Sequence, residues 1–329
     1  MNREFYEAIK REVRLKAAFS PRDYNTRHEL MAKGRADYPS DDIRRIKSLM
    51  AENPNYLLIG EENYPKKLYD MNWPPLVLFY EGDLSLLGRP AVGIVGSRNN
   101  SVYGERVTKE LSLSIAKIGG VIVSGGARGV DAIAHGQALL ENGKTICVLG
   151  NGLDISYPKE NESLFKEIKV QGLLLSEYPK GFGPKKWTFP MRNKIIAALS
   201  DMIIVTEAAE KSGSLHTASY GEEINRRLYS VPSPIFSITG KGTNALIEMG
   251  ARILYRKENL MEDILDSFPL VLYHRISDLG LVAIPLEMAA LLKLFPMNKH
   301  NMDSFILRLE LAGVIEKTSD CRIVFKQFF

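Results

Sequence analysis

From Ala91 to about Tyr255 the chain alternates short β-branched runs with stretches whose apolar residues recur at helical spacing. The runs Val92–Val95, Val121–Val123, Ile146–Leu149, Leu173–Leu175, Met202–Val205, Leu228–Val231 and Arg252–Leu254 read as strands. Between the first two, Val107, Leu111, Ile115 and Ile118 fall at i, i+4, i+8 and i+11, which lines one face of a helix. Strand followed by helix, repeated about six times, predicts an α/β fold with a doubly wound, mostly parallel sheet. Each parallel pair needs a crossover of roughly a dozen residues or more, and the crossovers cover both faces with helices.

The flanks carry a different pattern. Residues 1–55 are rich in Lys, Arg, Asp and Glu, with Ile43, Ile46, Leu49 and Met50 spaced for a short amphipathic helix, so a small helical N-terminal segment is expected. Tyr64-Pro65 and Pro74-Pro75 bracket a segment leading into Leu76–Tyr80, an apolar run that reads as the strand opening the central domain. Beyond Arg256, the run Asn259–Leu265 gives way to a stretch with Pro269 and Gly280 that is expected to serve as a linker. The chain then ends on a helix through Phe305, Ile306, Leu309 and Leu311, a stop at Gly313, the run Val314–Lys317, a Thr-Ser-Asp turn and the run Cys321–Phe325. Helices followed by a β-hairpin describe a winged helix. The expected units are a helical segment at 1–55, a central domain at 56–256 and a winged-helix-like domain at 270–329.

Composition matters here mainly for what it excludes. A hydrophobic fraction of 45% with 25% charged residues is that of a soluble globular protein. The net charge of +4 over 329 residues is small, so an anionic partner must be met by a local basic patch. Cys147 lies in the apolar run Thr145–Leu149, far from Cys321, and a buried, reduced thiol is expected there. No Cys/His cluster has zinc spacing, and no segment approaches the ~18 apolar residues of a membrane helix. With no apolar stretch of signal-peptide type after Met1, a cytoplasmic location without membrane contact is expected.

Loops after the expected strands hold the candidate chemistry. Gly96-Ser97-Arg98 follows the first, where a helix N-terminus offers N–H groups to anions and Arg98 supplies a charged fork. A tight turn with an exposed Arg would look the same. Neither the spaced glycines of a dinucleotide site nor a Gly-Lys-Ser/Thr phosphate loop is present, so no cofactor is expected. Ser124-Gly125-Gly126-Ala127-Arg128-Gly129-Val130-Asp131 brings backbone close to something, with Asp131 placed to complement a helix dipole and His135 placed to pack. Ser212 and Ser214 beside Gly213 suit a helix cap and can also donate to a phosphate. Asn151–Asp154 with Tyr157-Pro158-Lys159, and Gly240–Asn244, add two further loops that should reach the same rim of the sheet.

The run Lys180–Lys194 is the most informative, because it holds five basic residues and three aromatics without one acid: Lys180, Lys185, Lys186, Arg192 and Lys194 with Phe182, Trp187 and Phe189. Flat rings stack on bases of any sequence while Lys and Arg follow the backbone, a mixture suited to unpaired nucleic acid. A solvated basic loop with Trp187 and Phe189 buried is the structural alternative.

Gly96-Ser97-Arg98, Ser124–Asp131, Tyr157–Asn161, Ser176–Pro179, Phe189–Asn193 and Ser212-Gly213-Ser214, in this order, resemble the DNA processing protein A (Smf) family over about residues 60–255. The resemblance implies an extended Rossmann-like core that binds single-stranded DNA, forms a homodimer and helps load the RecA recombinase during natural transformation. It puts DNA-contacting cations at Arg98, Lys159 and Lys186, a base-stacking ring at Phe189 and helix-start contacts at Arg192 and Asn193. Gly96, Ser97, Ser212, Gly213 and Ser214 complete the implied interface. His216 and Ser233 depart from the family pattern, where Ile and Gly are usual, and a helix-hairpin-helix pattern is missing from the N-terminal segment. The terminal module, with Arg308 the base on its last helix, suits a protein contact better than a DNA groove.

Two rival readings remain. One is a Rossmann-type hydrolase cleaving nucleoside monophosphates, which would need a Pro-Gly-Gly-x-Gly-Thr run where this chain has Ser212–Thr217. The other is a protein-interaction scaffold. Binding without catalysis is the expectation.

Overall fold

The apolar runs become the strands of one nine-stranded sheet. The computed structural model describes residues 3–8, 11–18, 40–268, 270–295 and 299–327. Three helices, α1 (Arg3–Ala8), α2 (Arg11–Ala18) and α3 (Ser40–Glu52), precede the sheet among these residues. The last is the helix the spacing of Ile43 to Met50 predicts, and it buries Ile46 against the core with Leu49 and Met50 partly covered.

The strands are β1 (Tyr56–Leu58), β2 (Val77–Gly82), β3 (Ala91–Val95), β4 (Val121–Ser124), β5 (Lys144–Leu149), β6 (Leu173–Ser176), β7 (Met202–Val205), β8 (Arg227–Ser230) and β9 (Arg252–Ile253). Their order across the sheet is β1-β2-β6-β5-β4-β3-β7-β8-β9. Seven run parallel, β6 through β9 in that order, while β2 pairs antiparallel with β6 and β1 antiparallel with β2. The chain winds outward from β3 to β6 and returns to β7 beside β3, so the order reverses between those two strands. In open parallel sheets that is where ligands gather, beyond the carboxyl ends.

Connecting helices are α4 (Val102–Lys117), α5 (Val130–Leu140), α6 (Glu162–Gln171), α7 (Thr188–Leu199), α8 (Gly213–Glu223), α9 (Lys241–Glu248) and α10 (Lys257–Ser267). Alternate strand residues feed two cores: Val92, Ile94, Ile122 and Ile204 join α4 and α5, whereas Val95, Val121, Val123, Ile203 and Val205 join α7 and α8. Period-two burial on both faces is why these strands read as unbroken apolar runs.

The stretch around Gly280, expected as a linker, instead carries a helix. That helix, α11 (Val271–Asp278), buries Val271, Leu272, Tyr273 and Ile276, while Pro269 lies outside the described residues. Then come α12 (Met288–Leu294), α13 (Lys299–Leu311) and the hairpin of β10 (Ile315–Lys317) and β11 (Ile323–Phe325), with Leu286 bridged to Ile323. Gly313 ends α13 with a φ of 73°. Leu291, Phe305, Ile306 and Phe325 share one apolar cluster with Ile118 and Ile122 of the sheet side.

Polar contacts fix where this module sits. Arg89, just before β3, forms a two-pronged pair with Asp278 at 2.7 and 2.9 Å, and the two side chains are only 12% and 13% exposed. Arg275 donates to the carbonyls of Glu141 and Asn142, just before β5. These anchor points lie at the amino ends of the strands, so the module occupies the edge of the sheet opposite the loops with candidate chemistry. Gly119 sits in the same seam with a φ of 89°, and a Cβ there would stand 2.5 Å from the Val271 carbonyl oxygen. Gly119→Ala is therefore expected to destabilise the protein by at least about 2 kcal/mol, read as a lower urea midpoint. An unchanged midpoint would show that the seam yields.

Candidate nucleic-acid interface

Every parallel strand ends at the same rim, and the loop after β3 is pinned there from two sides. Ser97 donates its N–H to the Glu207 carbonyl at 2.7 Å, and the first N–H of α5, from Val130, donates to the Ser97 carbonyl at 3.1 Å. Gly129 makes the second contact possible: its φ is 72°, and a Cβ would lie 2.4 Å from the Ser97 carbonyl oxygen. Downstream, the Glu207 carboxylate accepts from the Ser101 N–H at 2.9 Å and its hydroxyl at 3.1 Å, while Ser101 caps α4 by accepting from the Gly104 N–H. Arg98 is thereby presented on a fixed turn with its side chain in solvent.

A first cleft of about 530 Å³ opens beside that turn, lined among others by Arg98, Arg128, Tyr157, Lys159, Phe189 and Arg192. Phe189 is its centre. The Tyr157 ring lies 5.6 Å away, centroid to centroid, and the guanidinium carbons of Arg98 and Arg192 lie 5.7 and 5.9 Å from the Phe189 centroid. Cations over a ring face are attracted by its quadrupole. Lys159 enters on the turn after Pro158, held by Asn161, whose side-chain amide donates to the Gly126 and Ala127 carbonyls at 3.0 and 3.2 Å. Arg128 pairs with Glu160 across the mouth.

A second cleft of about 510 Å³ shares Arg98, Asn99, Ala127 and Arg192 with the first and continues to Gly96, Ser97, Asn193 and Lys211–Ser214. Ser212 caps α8, accepting weakly from the Ser214 N–H at 3.4 Å, and the two hydroxyls share a hydrogen bond at 2.8 Å. Asn193 donates to the Gly213 carbonyl at 3.2 Å, which joins the start of α7 to this loop. Of the sequence candidates, Lys186 alone lines neither cleft; it is exposed on the loop just before α7.

Arg192 holds a different place from its neighbours. It is 5% exposed, and its Nη1 donates to the carbonyls of Gly125 and, at 2.8 Å, Val148, while Nε reaches the Asn193 side-chain oxygen at 3.0 Å. Burial pulls its guanidinium below the usual range, opposed by the Asp131 carboxylate. Asp131 is itself pushed up by burial, with Arg192 and the Ala127 N–H holding it down. Behind them His135 is fully buried. The Thr145 hydroxyl donates to the Ile122 carbonyl at 2.9 Å, so His135 Nδ1 is the donor in its 2.6 Å contact with that hydroxyl. Its bare Nε2 then has no partner, and burial followed by the Arg192 charge lowers the ring to about 3.

Tyr157, Arg128 and Glu207 belong to this geometry although sequence reasoning gave them no role. Tyr157 carried a usable signal, being the aromatic residue of a Tyr-Pro-Lys run after a strand. Glu207 carried none beyond its position after β7.

The family model described as DNA recombination-mediator protein A matches residues 55–265. The chain belongs to this family. Protein Smf of Synechocystis sp. is 43% identical over 224 residues, 67% of this chain and 56% of that protein. DNA processing protein DprA of Bacillus subtilis is 40% identical over 214 residues, 64% of this chain and 71% of that protein. Among solved structures, DNA processing protein A of Streptococcus pneumoniae superimposes with a TM-score of 0.66 at 32% identity, covering 78% of this chain and 94% of that one. DNA processing protein A of Helicobacter pylori, solved for its unique single-stranded DNA binding mode, gives 0.60 at 38% identity, covering 65% and 97%. The match to the recombination-mediator family spans β1 to most of α10, which is the sheet and both clefts.

The buried imidazole makes a prediction about acid stability. Its folded value lies far below the ordinary one, so the unfolded chain binds the proton first and stability falls as pH drops from about 6.5 towards about 3. The slope contributed is about 1.4 kcal/mol per pH unit, acting against the raised Asp131 carboxyl. His135→Gln should flatten the fall in urea midpoint over that window; parallel curves for both proteins would contradict the assignment.

Proposed function

We propose that this chain binds single-stranded DNA without sequence preference along the rim and presents it to a RecA-type recombinase in DNA uptake and recombination. The observation that carries the reading is the arrangement around Phe189: one half-buried ring flanked by Tyr157 and the Arg98 and Arg192 guanidinium groups, with Lys159 in the same cleft. A flat ring takes a base and the exposed Arg98 and Lys159 take its phosphates, which is how unpaired strands are held. The single-stranded DNA binding mode for which the Helicobacter pylori relative was studied supports the substrate, and the recombination-mediator family supports the pathway. Arg192, committed to backbone carbonyls, acts as the brace behind the ring.

The carboxylates that line the two clefts support binding over hydrolysis. Asp131 accepts from the Ala127 N–H at 3.3 Å and Glu160 is paired with Arg128. Among the described residues no cluster of His, Cys, Asp and Glu could hold a metal, and no helix is long and apolar enough to cross a membrane. The proposed setting is cytoplasmic.

A homodimer fits the edge of the sheet at β9. Phe236 and Ile238, 91% and 74% exposed, precede α9; Met249 ends it at 70%, and Ile253 and Tyr255 follow at 47% and 62%. Exposed apolar side chains along the β8–β9 end of the sheet are what a second copy would cover. The terminal hairpin module, winged-helix-like in its order of elements, would then serve protein contact at the far edge. Its Arg308, Lys317, Arg322 and Lys326 are all engaged by acidic partners.

Binding of single- and double-stranded oligonucleotides over a salt series tests the main reading. Arg98→Ala and Lys159→Ala should each weaken single-strand binding and lower the salt slope by about one. Phe189→Ala should cost about 1–3 kcal/mol with little change of slope. Equal slopes in all four proteins would move the phosphates elsewhere, and a preference for duplex would overturn the reading. For the dimer, Phe236→Asp should shift the sedimentation coefficient to that of a monomer; an unshifted dimer would place the interface off this edge.

A further inference from the structure

Lys186 lies outside both clefts, and the ring next to it, Trp187, is 54% exposed on the same rim. We propose that Trp187 is a second base-stacking platform, taking a nucleobase of the same unpaired strand after it passes Phe189. This rests on the single-strand reading above and extends it to a binding residue outside the clefts.

The indole is braced for that task. Tyr178 and Phe182 stack on each other at 4.7 Å and 16°, and Trp187 stands at 78° to both, with centroids 5.8 and 6.1 Å away. Tyr178 is 8% exposed, so the tilt of the indole is set from inside while more than half of its surface stays open. The loop beneath is tied down as well. Gly181 donates its N–H to both oxygens of Asp154 at 3.0 Å, Lys180 donates its N–H to the Asn53 side-chain oxygen at 2.9 Å, and Thr188 donates its N–H to the Lys185 carbonyl at 3.0 Å. A ring held in advance loses little freedom when a base lands on it.

Charge and spacing point to the same occupant. Lys180, Lys185 and Lys186 are exposed around the indole, Lys185 with its Nζ 5.0 Å from the Phe182 centroid, and the run from Lys180 to Lys194 has no acidic residue. Trp187 already has helical backbone angles, φ −77° and ψ −20°, at the cap of α7. Residues two apart on a helix have Cα atoms roughly 5–6 Å apart but project about 200° apart around the axis. The two rings therefore look to opposite sides of the helix start. A strand crossing that end places one base on each side, with the exposed Lys186 on the same loop available to the backbone that joins them.

Trp187 and Trp73 are the two tryptophans of the chain, so the full-length Trp73→Phe protein reports on Trp187 alone. Oligo-dT of increasing length is titrated at fixed salt, with binding followed by anisotropy of labelled DNA and, separately, by tryptophan emission. The expected result is that oligomers long enough to span both rings quench the emission in step with the anisotropy as they bind, since a base stacked on the indole changes its surroundings. Trp187→Ala should weaken these long oligomers about 5- to 150-fold while leaving the shortest oligomer that binds unchanged. Trp187→Phe, which keeps a flat ring, should recover most of the loss and so separates stacking from damage to the fold. Tight binding with unchanged emission, or equal affinities of Trp187→Ala and parent at every length, overturns the platform and leaves the Phe189 cleft standing. Absence of single-strand binding by the parent overturns both.

Discussion

Arg192 reaches from the first turns of α7 into the gap between β4 and β5, where one nitrogen serves the carbonyls of both Gly125 and Val148. A guanidinium this deep is tolerated because its hydrogen bonds are made and because Asp131 lies close enough to offset part of its desolvation. The arrangement fixes the roll of α7, and with it the direction in which Phe189 points. It also requires a bare backbone at Gly125, where a Cβ would meet the guanidinium at 2.1 Å. The glycines of the second loop thus make room for a side chain of the protein itself, and the cleft is shaped around that buried cation.

The core strands were legible because each is buried on both faces, so Val92–Val95 or Met202–Val205 need no interpretation beyond their apolar run. β1 was not, since three residues of Tyr56–Leu58 paired antiparallel at an edge carry too little pattern to separate from a loop. Pro269 and Gly280 read as a linker, yet the residues between them bury Val271, Leu272 and Ile276 on α11. The buried stripe was present in the sequence and was outweighed by the flanking turn residues.

The lining of the clefts was legible in the sequence more than the bonding of each residue there. Arg98, Lys159 and Phe189 do share one cleft, as loops after parallel strands must. Arg192 looked the same as Arg98 in sequence, because whether an Arg faces solvent or a set of carbonyls depends on neighbours from distant loops. Glu207 was unreadable for the same reason: its partners Ser97 and Ser101 lie more than a hundred residues earlier. The place of the terminal module is likewise a tertiary fact, decided by Arg89 and Asp278 at the amino ends of the strands.

The two clefts join through Arg98 and Arg192, and Arg98, Tyr157 and Lys159 all stand exposed along them. A saddle of this kind admits a polymer laid down sideways and releases it the same way. No free terminus has to be found and fed through. For a polymer held there, closed circles and the interior of very long chains are as accessible as short linear fragments.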